Sequence, residues 1–335
     1  MNIQRPFSIV GVGKYLPKTI VSSEEIEKEV GLPEGYIYKN VGVKSRHIAT
    51  EETLTYMAKE ALTSALEDAQ ISIIEIDCLI GASASFDYII PSRSSLIKNA
   101  FGDEVNEVDF PCIDISTVCT SFITAIDYAS LLLSNNKYKN IAIVSSEISS
   151  KNLNPNDKET YGLFGDGAAA IIISKTTHNV GLIEYQSKTF SSGAKHTIIE
   201  GGGHINHPSD VAYSTELYAF KMYGKKLLKE AKYTLPKFLL RFFEPLNIDL
   251  KNINLIVPHQ ASKLGLRMLT VINKGNSQNI VDQLENHGNC IAASIPIALV
   301  SSIEDKKLKE GDTCFLIGTA AGITISGLLF KYSKK

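Results

Sequence analysis

The stretch from Ile115 to Ala129 contains the residue of this chain best suited to nucleophilic chemistry, Cys119. An apolar segment of strand type precedes Cys119, and apolar residues at helical spacing follow it, so we expect the cysteine at or near the start of a helix. Backbone N–H groups and the positive end of a helix dipole stabilise a thiolate, which is the reactive form of cysteine. Free cysteine is also among the residue types most often buried, so simple packing is the competing interpretation.

Two polar residues far along the chain could assist such a nucleophile. His259 follows a predicted strand in the sequence VPHQAS, and Asn289 belongs to the turn HGN. Both side chains can donate a hydrogen bond to a developing oxyanion. Each also has a structural interpretation, because His259 could be a satisfied turn residue and Asn289 could supply a left-handed turn conformation. Together with Cys119 they predict a catalytic site if the fold brings the three side chains to one place.

The elements that must position these residues alternate between helical and strand patterns and repeat along the chain. Residues 76–84 and the helix after them resemble residues 253–261 and the helix after those, and the helix at Cys119 resembles the helix at Cys290. The repeat lies at a spacing of roughly 170 to 180 residues. It predicts two similar α/β halves, residues 1–175 with the nucleophile and residues 176–335 with the histidine and asparagine. A pseudo-twofold axis between them would bring Cys119 to the HGN turn.

Composition excludes several classes of protein. A chain of 335 residues with 44% hydrophobic and 21% charged residues is typical of a globular protein with a sizeable core. The formal net charge of −2 gives no reason to expect nucleic acid or an anionic membrane as a partner. The N-terminal sequence lacks a secretory pattern, and the run from Thr313 to Phe330 is better interpreted as two buried strands around a glycine turn than as a membrane span.

The five cysteines are odd in number, scattered and without a CxxC pair. This pattern argues against a disulfide framework and a zinc site, and it predicts reduced thiols in the cytoplasm. His204 and His207 are close in sequence but lack a nearby third ligand, so we expect no metal.

Two glycine motifs could bind an anion but have simpler structural interpretations. Gly11 and Gly13 end an apolar strand, and Leu16 stands where a nucleotide-binding turn needs its third glycine, so we interpret them as a tight strand exit. The GDG sequence at 165–167 is interpreted as a strand-entry turn that needs positive φ.

The middle of the chain is less regular. Periodicity is lost over residues 185–215, which predicts a surface excursion. One helix is then predicted over residues 220–231 and another over residues 238–243.

In their order along the chain, these motifs resemble the β-ketoacyl-acyl-carrier-protein synthase III family of thiolase-fold condensing enzymes. The most specific are VPHQA at 257–261 and HGN-x-x-A-A-S-x-P at 287–296. GVGKYLP, GVKSRHIA, FGDGAAA and the closing GTAAG loop also follow the family order, so the likeness covers nearly the whole chain. The resemblance implies an α/β, thiolase-like five-layered αβαβα fold built from two similar halves, and a homodimer.

The resemblance also implies a Cys-His-Asn catalytic set, here Cys119, His259 and Asn289. The Cys119 thiolate would attack an acyl thioester, with the backbone N–H groups of Cys119 and Ala321 stabilising the oxyanion. A malonyl thioester would then lose CO₂, and N–H donors on His259 and Asn289 would hold the enolate oxygen. No permanently bound cofactor is expected, because coenzyme A or phosphopantetheine thioesters are substrates.

The family's clamp for coenzyme A aligns with Tyr36 and Asn40, and its second arginine aligns with Lys158; Lys39 is out of register but could substitute. Arginine holds a phosphate bidentately, whereas lysine offers only a point charge. We therefore expect an acyl carrier protein to supply the acyl primer at least as efficiently as coenzyme A. Its acidic surface would engage basic residues that their helical spacing predicts to be exposed near the tunnel mouth, namely Lys221, Lys225, Lys263 and Arg267.

The predicted function is therefore that of an acyltransferase performing decarboxylative Claisen condensation, in fatty-acid initiation or in specialised polyketide or secondary metabolism. One alternative is acyl transfer through Cys119 to an alcohol or amine without decarboxylation. The other is a non-catalytic partner in a heterodimer, which the retained Cys-His-Asn set argues against.

Overall fold

The computed structural model describes residues 2–158 and 160–334. Its strands are β1 (Arg5–Pro6), β2 (Ser8–Tyr15), β3 (Thr19–Ser22), β4 (Ser45–Ile48), β5 (Cys78–Ala82), β6 (Cys112–Ile115), β7 (Asn140–Glu147), β8 (Gly167–Ser174), β9 (Gly181–Thr189), β10 (Thr197–Ile198), β11 (Lys221–Met222), β12 (Leu255–Pro258), β13 (Thr313–Ala320) and β14 (Thr324–Lys331). Its α-helices are α1 (Ser23–Glu29), α2 (Tyr36–Asn40), α3 (Leu54–Ala69), α4 (Arg93–Asn99), α5 (Asp103–Asn106), α6 (Ser121–Ser134), α7 (Thr215–Tyr218), α8 (Gly224–Phe243), α9 (Lys263–Ile272), α10 (Leu284–His287) and α11 (Ser294–Glu304).

Two five-stranded sheets organise the molecule. The first has the strand order β2-β8-β7-β5-β6, and the second has the order β1-β9-β14-β13-β12. In the first sheet β5 is parallel to β6 and β7, and in the second β12 is parallel to β13, while the remaining pairs are antiparallel. The order β9-β14-β13-β12 thus repeats the order β2-β8-β7-β5, which is the internal similarity that the sequence predicts.

Helices form three layers around these sheets. α6 and α11 lie between the sheets, α3 covers the outer face of the first sheet, and α8 packs with α9 on the outer side of the second. Each of these regions contains its own cluster of buried apolar residues. Burial of apolar area on both faces of each sheet is the main force that holds such layers together. The arrangement is the predicted five-layered αβαβα fold.

The approach of α3 to the first sheet depends on glycine. α3 begins after Thr53, which caps it. Gly11 and Gly13 lie within β2, where an added Cβ would be 2.2 Å from the carbonyl oxygen of Ala65 and 2.3 Å from that of Ala61, respectively. The prediction that these glycines form a strand exit is wrong, because they lie mid-strand and leave space for the helix backbone.

The GDG sequence at 165–167 also needs glycine for space. Asp166 is buried and accepts hydrogen bonds from the N–H groups of Ala49 (2.8 Å) and Ser149 (2.7 Å). Neither flanking glycine has positive φ. A Cβ on Gly165 would lie 2.1 Å from the carbonyl oxygen of His287, so close approach is the requirement and the predicted positive φ is wrong.

The second half departs from the predicted elements in two places. Residues 185–189 still belong to β9, so the surface excursion begins after Thr189. A single helix, α8, replaces the two predicted, and Pro236 lies inside it. Its apolar face continues past this proline against the second sheet, and tertiary packing of that face outweighs the hydrogen bond that proline cannot donate. Among the described residues, no helix combines the length and apolar character needed to cross a membrane.

Candidate active site

A tight turn between β6 and α6 presents Cys119. The turn is a 3-10 helix over Val118–Thr120, and Val118 has φ 54°, a strained left-handed conformation for a β-branched residue. The Thr117 N–H donates to the Ser121 hydroxyl (3.0 Å), and that hydroxyl donates to the Val118 carbonyl oxygen (2.6 Å). The predicted position of Cys119 beside a helix start is confirmed.

The same turn recurs before α11 in the second half. The Cys290 N–H donates to the Ser294 hydroxyl (2.9 Å), and Ile291 has φ 46° in a matching 3-10 helix. In this register Ala292 is equivalent to Cys119. The predicted match of Cys119 with Cys290 is wrong by two residues, because the hydrogen-bonded turn is what repeats and the two cysteines stand at different places in it.

One cavity of about 1150 Å³ brings the predicted catalytic residues together, since Cys119, His259 and Asn289 all line it. His259 immediately follows β12, and Asn289 lies just beyond α10; both are buried. The cavity therefore has a thiol, an imidazole and an amide on its wall, each supplied by a different element.

Asn289 is fixed on both sides by the first half of the chain. Its N–H donates to the carbonyl oxygen of Leu163 (2.9 Å), and its carbonyl oxygen accepts from the N–H of Gly165 (3.2 Å). The side-chain Oδ1 accepts from the N–H of Ile291 (2.8 Å). With Oδ1 occupied in this way, the amide NH₂ is the group that remains to donate towards the cavity. The positive φ in this turn belongs to Gly288 (65°) and not to Asn289.

His259 presents a neutral ring to the cavity. Its backbone N–H donates to the carbonyl oxygen of Ile317 (2.8 Å), which continues the ladder of β12 with β13. Its Nδ1 has no hydrogen-bond partner among the described residues, so the ring is not a satisfied turn residue. Burial lowers the pKa of His259 to about 4. At neutral pH the ring therefore holds a single N–H, which can act as an uncharged hydrogen-bond donor.

Burial dominates the chemistry of the Cys119 thiol. Burial, together with the nearby Glu147 carboxylate, raises the pKa of Cys119 to about 12. Hydrogen bonds from the backbone N–H groups of Cys119 and Ala321 act in the opposite direction. The predicted stabilisation of a thiolate by the helix start is therefore smaller than the opposing effect of burial. These two N–H groups are the ones that the family resemblance assigns to the oxyanion.

Glu147 is the residue of the site that the sequence interpretation missed. It ends β7, is fully buried, and accepts hydrogen bonds from the N–H groups of Ala84 (2.6 Å) and Ser85 (3.0 Å) and from the Ser85 hydroxyl. Burial raises the pKa of its carboxyl group. Ala84 and Ser85 line the cavity, so Glu147 fixes part of its wall. The available signal was a single acidic residue at the end of an otherwise uncharged strand.

The predicted coenzyme A contacts lie at the same cavity with one exception. Tyr36, Asn40 and Lys158 line it, whereas Lys39 is exposed on α2 outside the lining. The start of α2 is held by the buried carboxylate of Glu27, which accepts hydrogen bonds from two backbone N–H groups there.

The four predicted carrier-docking residues lie in three different settings. Lys225 and Lys263 line the cavity, and Arg267 is exposed on α9. Lys221 lies in β11, which pairs with β10, and forms an ion pair with Glu200. Its predicted helical position is wrong, because α8 begins only at Gly224.

No group of three or more histidine, cysteine, aspartate or glutamate side chains within residues 2–158 and 160–334 could hold a metal ion. The rings of His204 and His207 stack at a centroid distance of 6.1 Å on an exposed loop.

Comparisons with known proteins agree with this geometry. Residues 113–191 match the family described as 3-oxoacyl-[acyl-carrier-protein (ACP)] synthase III, and residues 243–332 match the family of its C-terminal part. The β-ketoacyl-[acyl-carrier-protein] synthase III of Vesicomyosocius okutanii is 31% identical to this chain, over 97% of this chain and 98% of that relative.

Solved structures are also similar to this protein over nearly the whole chain. The 3-oxoacyl-[acyl-carrier-protein] synthase III of Aquifex aeolicus is 28% identical, with a TM-score of 0.87 over 98% of this chain and 100% of that one. The priming β-ketosynthase of the R1128 polyketide pathway has a TM-score of 0.88 at 22% identity, over 100% of this chain and 99% of its own, and shows the same fold.

Proposed function

Because this chain belongs to the 3-oxoacyl-[acyl-carrier-protein] synthase III family and is a condensing acyltransferase, we propose that Cys119 accepts the acyl group and that His259 and Asn289 promote decarboxylation. The main support is the shared cavity, which all three side chains line, together with the backbone N–H groups of Cys119 and Ala321, which act to lower the pKa of the Cys119 thiol. Enzymes of this family use acyl-coenzyme A and acyl-carrier-protein thioesters.

In the first half-reaction, the Cys119 sulfur attacks the carbonyl carbon of an acyl thioester. The C–S bond of the incoming thioester breaks, and the proton of the Cys119 thiol ends on the leaving thiol. The N–H groups of Cys119 and Ala321 hold the oxyanion of the tetrahedral intermediate. Such preorganised donors act strongly in a site that excludes water, which matches the buried surroundings of this thiol.

In the second half-reaction, a malonyl thioester loses CO₂ and its enolate attacks the acyl group on Cys119. The new C–C bond forms as the C–S bond to Cys119 breaks and leaves a thiolate, and a proton taken up from solvent returns the cysteine to its starting thiol form. The enolate oxygen needs hydrogen-bond donors, and the neutral ring of His259 and the amide of Asn289 supply them. The interaction of the Asn289 Oδ1 with the backbone keeps its NH₂ group oriented for this task.

Intact mass of the protein after incubation with acyl thioesters tests this assignment directly. We expect one acyl adduct per chain, localised by peptide mapping to Cys119, and release of CO₂ when malonyl thioester is added. Absence of an adduct from every acyl thioester offered would remove Cys119 from this role.

We further propose an acyl carrier protein as the preferred donor of the acyl primer. Asn40 is uncharged and Lys158 offers a point charge, so the described residues that line the cavity include no planar guanidinium, the group that best holds the phosphates of coenzyme A. The proposal is supported by the exposed cations Lys225 and Arg267, to which the acidic surface of a carrier can be attracted.

We propose that the enzyme is a homodimer. The loop over residues 84–92 exposes several large apolar side chains, among them Ile89 (73% exposed) and Ile90 (84% exposed). The loop is nevertheless held in place, because the Asp87 carboxylate accepts hydrogen bonds from the N–H groups of Leu54 (3.0 Å) and Thr55 (2.8 Å) at the start of α3. β6 is also an open edge strand of the first sheet. A fixed apolar surface beside an open strand edge is suited to a second copy of the chain.

We also propose that the chain divides into two halves, residues 1–175 and residues 176–335. This division is supported by the strands, because β2 through β8 lie in the first half and β9 through β14 lie in the second.

A cytoplasmic location is proposed on the basis of five cysteines that are all unpaired in the described structure.

A further inference from the structure

The helix α8 concentrates positive charge. It contains one acidic residue, Glu230, against six basic residues, which are Lys225, Lys226, Lys229, Lys232, Lys237 and Arg241. The whole chain, in contrast, has a formal net charge of −2. The net charge predicts no attraction to an anionic surface, but it averages over the molecule and hides a strongly basic helix.

Most of these cations lie along the side of α8 that faces solvent. Five exposed residues follow one another there at helical spacing and form what we call the basic stripe; they are Lys226, Lys229, Tyr233, Lys237 and Leu240. Lys232 and Arg241 are also exposed on this helix. At 1.5 Å per residue, the basic stripe is roughly 21 Å long.

The charge of the basic stripe is not neutralised within the protein. The carboxylate of Glu230 lies 3.1 Å from Nδ1 of His196, outside the helix. Among the residues that the structure describes, no carboxylate forms an ion pair with a lysine of the stripe. Lys237 instead places its Nζ 3.5 Å from the centroid of the Tyr233 ring, in a cation–π contact. The positive charge of the stripe is therefore available to a partner.

Two large apolar side chains accompany these cations. Tyr233 is 66% exposed and Leu240 is 68% exposed, and the two turns of helix between them place both on the same side. A partner that offers only negative charge would leave the leucine in water. At a membrane surface, in contrast, such side chains enter the boundary of the acyl chains while lysines stay at the level of the headgroups.

An acidic carrier protein is the alternative partner for a basic helix. A carrier must deliver its phosphopantetheine arm into the catalytic cavity, but no residue of the basic stripe lines that cavity within the described chain. The residues of α8 that do line it, among them Leu227, Ala231 and Leu235, lie on the opposite side of the helix. Lys225 lines the cavity and lies outside the stripe, so it is better placed to meet a carrier.

We propose that the basic stripe of α8 docks the enzyme on a membrane surface that contains anionic lipid. The stripe can reach such a surface without a change in fold, because α8 and α9 form the outer layer on the second sheet. Each cation near an anionic surface strengthens binding by roughly fivefold, and this attraction is screened by salt. Binding is expected to be peripheral and reversible, since only two apolar side chains would enter the membrane.

Vesicle sedimentation tests the proposal. The full-length protein is mixed with vesicles of phosphatidylcholine alone, or of phosphatidylcholine with about one-third phosphatidylglycerol, at salt concentrations from about 0.05 M to 0.5 M. At low salt we expect binding to the anionic vesicles to be at least tenfold stronger than binding to the neutral ones, and we expect it to be lost at high salt. Equal binding to the two kinds of vesicle, or no binding to the anionic ones at low salt, would overturn the proposal.

Variants with matched charge localise the contact. Lys229→Gln with Lys237→Gln removes two charges from the basic stripe and should weaken binding to anionic vesicles roughly twentyfold. Lys306→Gln with Lys309→Gln removes two exposed charges between α11 and β13 and should leave binding within twofold of the wild type. Leu240→Gln keeps the charge and should still weaken binding severalfold, because one of the two apolar contacts is lost.

The same variants separate a membrane from a carrier. Circular dichroism first shows that each variant is folded, independently of catalysis. We expect Lys229→Gln with Lys237→Gln to load acyl groups from a carrier protein at the wild-type rate, since neither residue lines the cavity. A variant that bound anionic vesicles as the wild type does but lost loading from the carrier would make the basic stripe a carrier-docking surface and would overturn the proposal.

Discussion

Asn289 of the second half forms a parallel β-bridge with Phe164 of the first half. The bridge is made by backbone groups, so it fixes the position of the Asn289 Cα independently of its side chain. The first half therefore contributes the nucleophile and also the support for a hydrogen-bond donor that the second half supplies. A change in the turn at 165–167 is expected to affect decarboxylation through this contact, although the turn does not line the cavity.

Replacing Cys119 with alanine should abolish both acyl-adduct formation and condensation, because no other thiol lines the cavity within the described residues. Intact mass and peptide mapping measure the adduct. Cys290→Ala, which removes a thiol that is fully enclosed by protein, is the matched control and should still form the adduct. An adduct on Cys290 or Cys112 of the Cys119→Ala protein would contradict the assignment.

His259→Ala and Asn289→Ala should retain acyl loading of Cys119 while slowing decarboxylation. Loss of one oxyanion-type donor is worth about 3 kcal/mol, or a hundredfold or more in rate. Release of labelled CO₂ from malonyl thioester measures the decarboxylation step, and intact mass measures the loading step. If both variants released CO₂ at the wild-type rate, His259 and Asn289 would not be the donors that promote decarboxylation.

The pH dependence of decarboxylation should reflect the environment of His259. Burial lowers the pKa of this ring from its ordinary 6.5 to about 4, so the ring stays neutral at every pH well above 4. We expect the rate of CO₂ release to be nearly constant between about pH 5.5 and pH 8 and to change only as the pH falls towards 4. An inflection near pH 6.5 that disappears in His259→Ala would show that this histidine titrates as an exposed one does.

A preference for carrier protein over coenzyme A should depend on exposed cations. We expect kcat/KM for one acyl group to be at least as high from the carrier, and to fall as salt rises because exposed charges are screened. Lys225→Gln with Arg267→Gln should reduce the carrier rate severalfold, while the distant, exposed Lys309→Gln should not. A preference for coenzyme A of tenfold or more would rule out the carrier as the favoured donor.

The loop at 84–92 should determine the oligomeric state. Changing Ile89 and Ile90 to glutamate places two charges on the proposed contact surface, and light scattering should show a shift from dimer to monomer. Ile205→Glu is the control, because Ile205 is 93% exposed on a different loop and should not affect assembly. A wild-type protein that is monomeric at micromolar concentration would contradict the proposal.

Much of the architecture could be predicted because local patterns and long-range packing agree. The helix after Thr53 follows from periodicity and from its capping residue, and the strand and helix around Cys119 and the closing pair of strands follow from periodicity. Where local pattern and long-range packing disagree, the sequence pattern gives the wrong element. In α8, for example, the apolar face continues through Pro236, so one helix forms where the pattern predicts two.

The residues that form the site were easier to predict from the sequence than the pKa values of their side chains. Motif order could indicate Cys119, His259 and Asn289, because each follows or precedes a recognisable element. The pKa of the thiol could not be predicted, since it depends on burial and on Glu147, a residue distant in sequence from Cys119. The role of Glu147 likewise depends on backbone N–H groups at Ala84 and Ser85, which no side-chain motif reveals.

β1 belongs to the sheet of the second half although it lies at the start of the chain. Arg5 and Pro6 pair with Leu182 and Gly181 of β9, and Arg5 forms an ion pair with Asp127 of α6. This short strand covers the outer edge of β9 and ends in a proline, which cannot donate a ladder hydrogen bond. A purification tag or truncation that displaces the first few residues would expose the edge of β9 as a template for strand addition. Aggregates formed in that way would be unrelated to catalysis or to the loop at 84–92, so a C-terminal tag is the safer choice for preparing the enzyme.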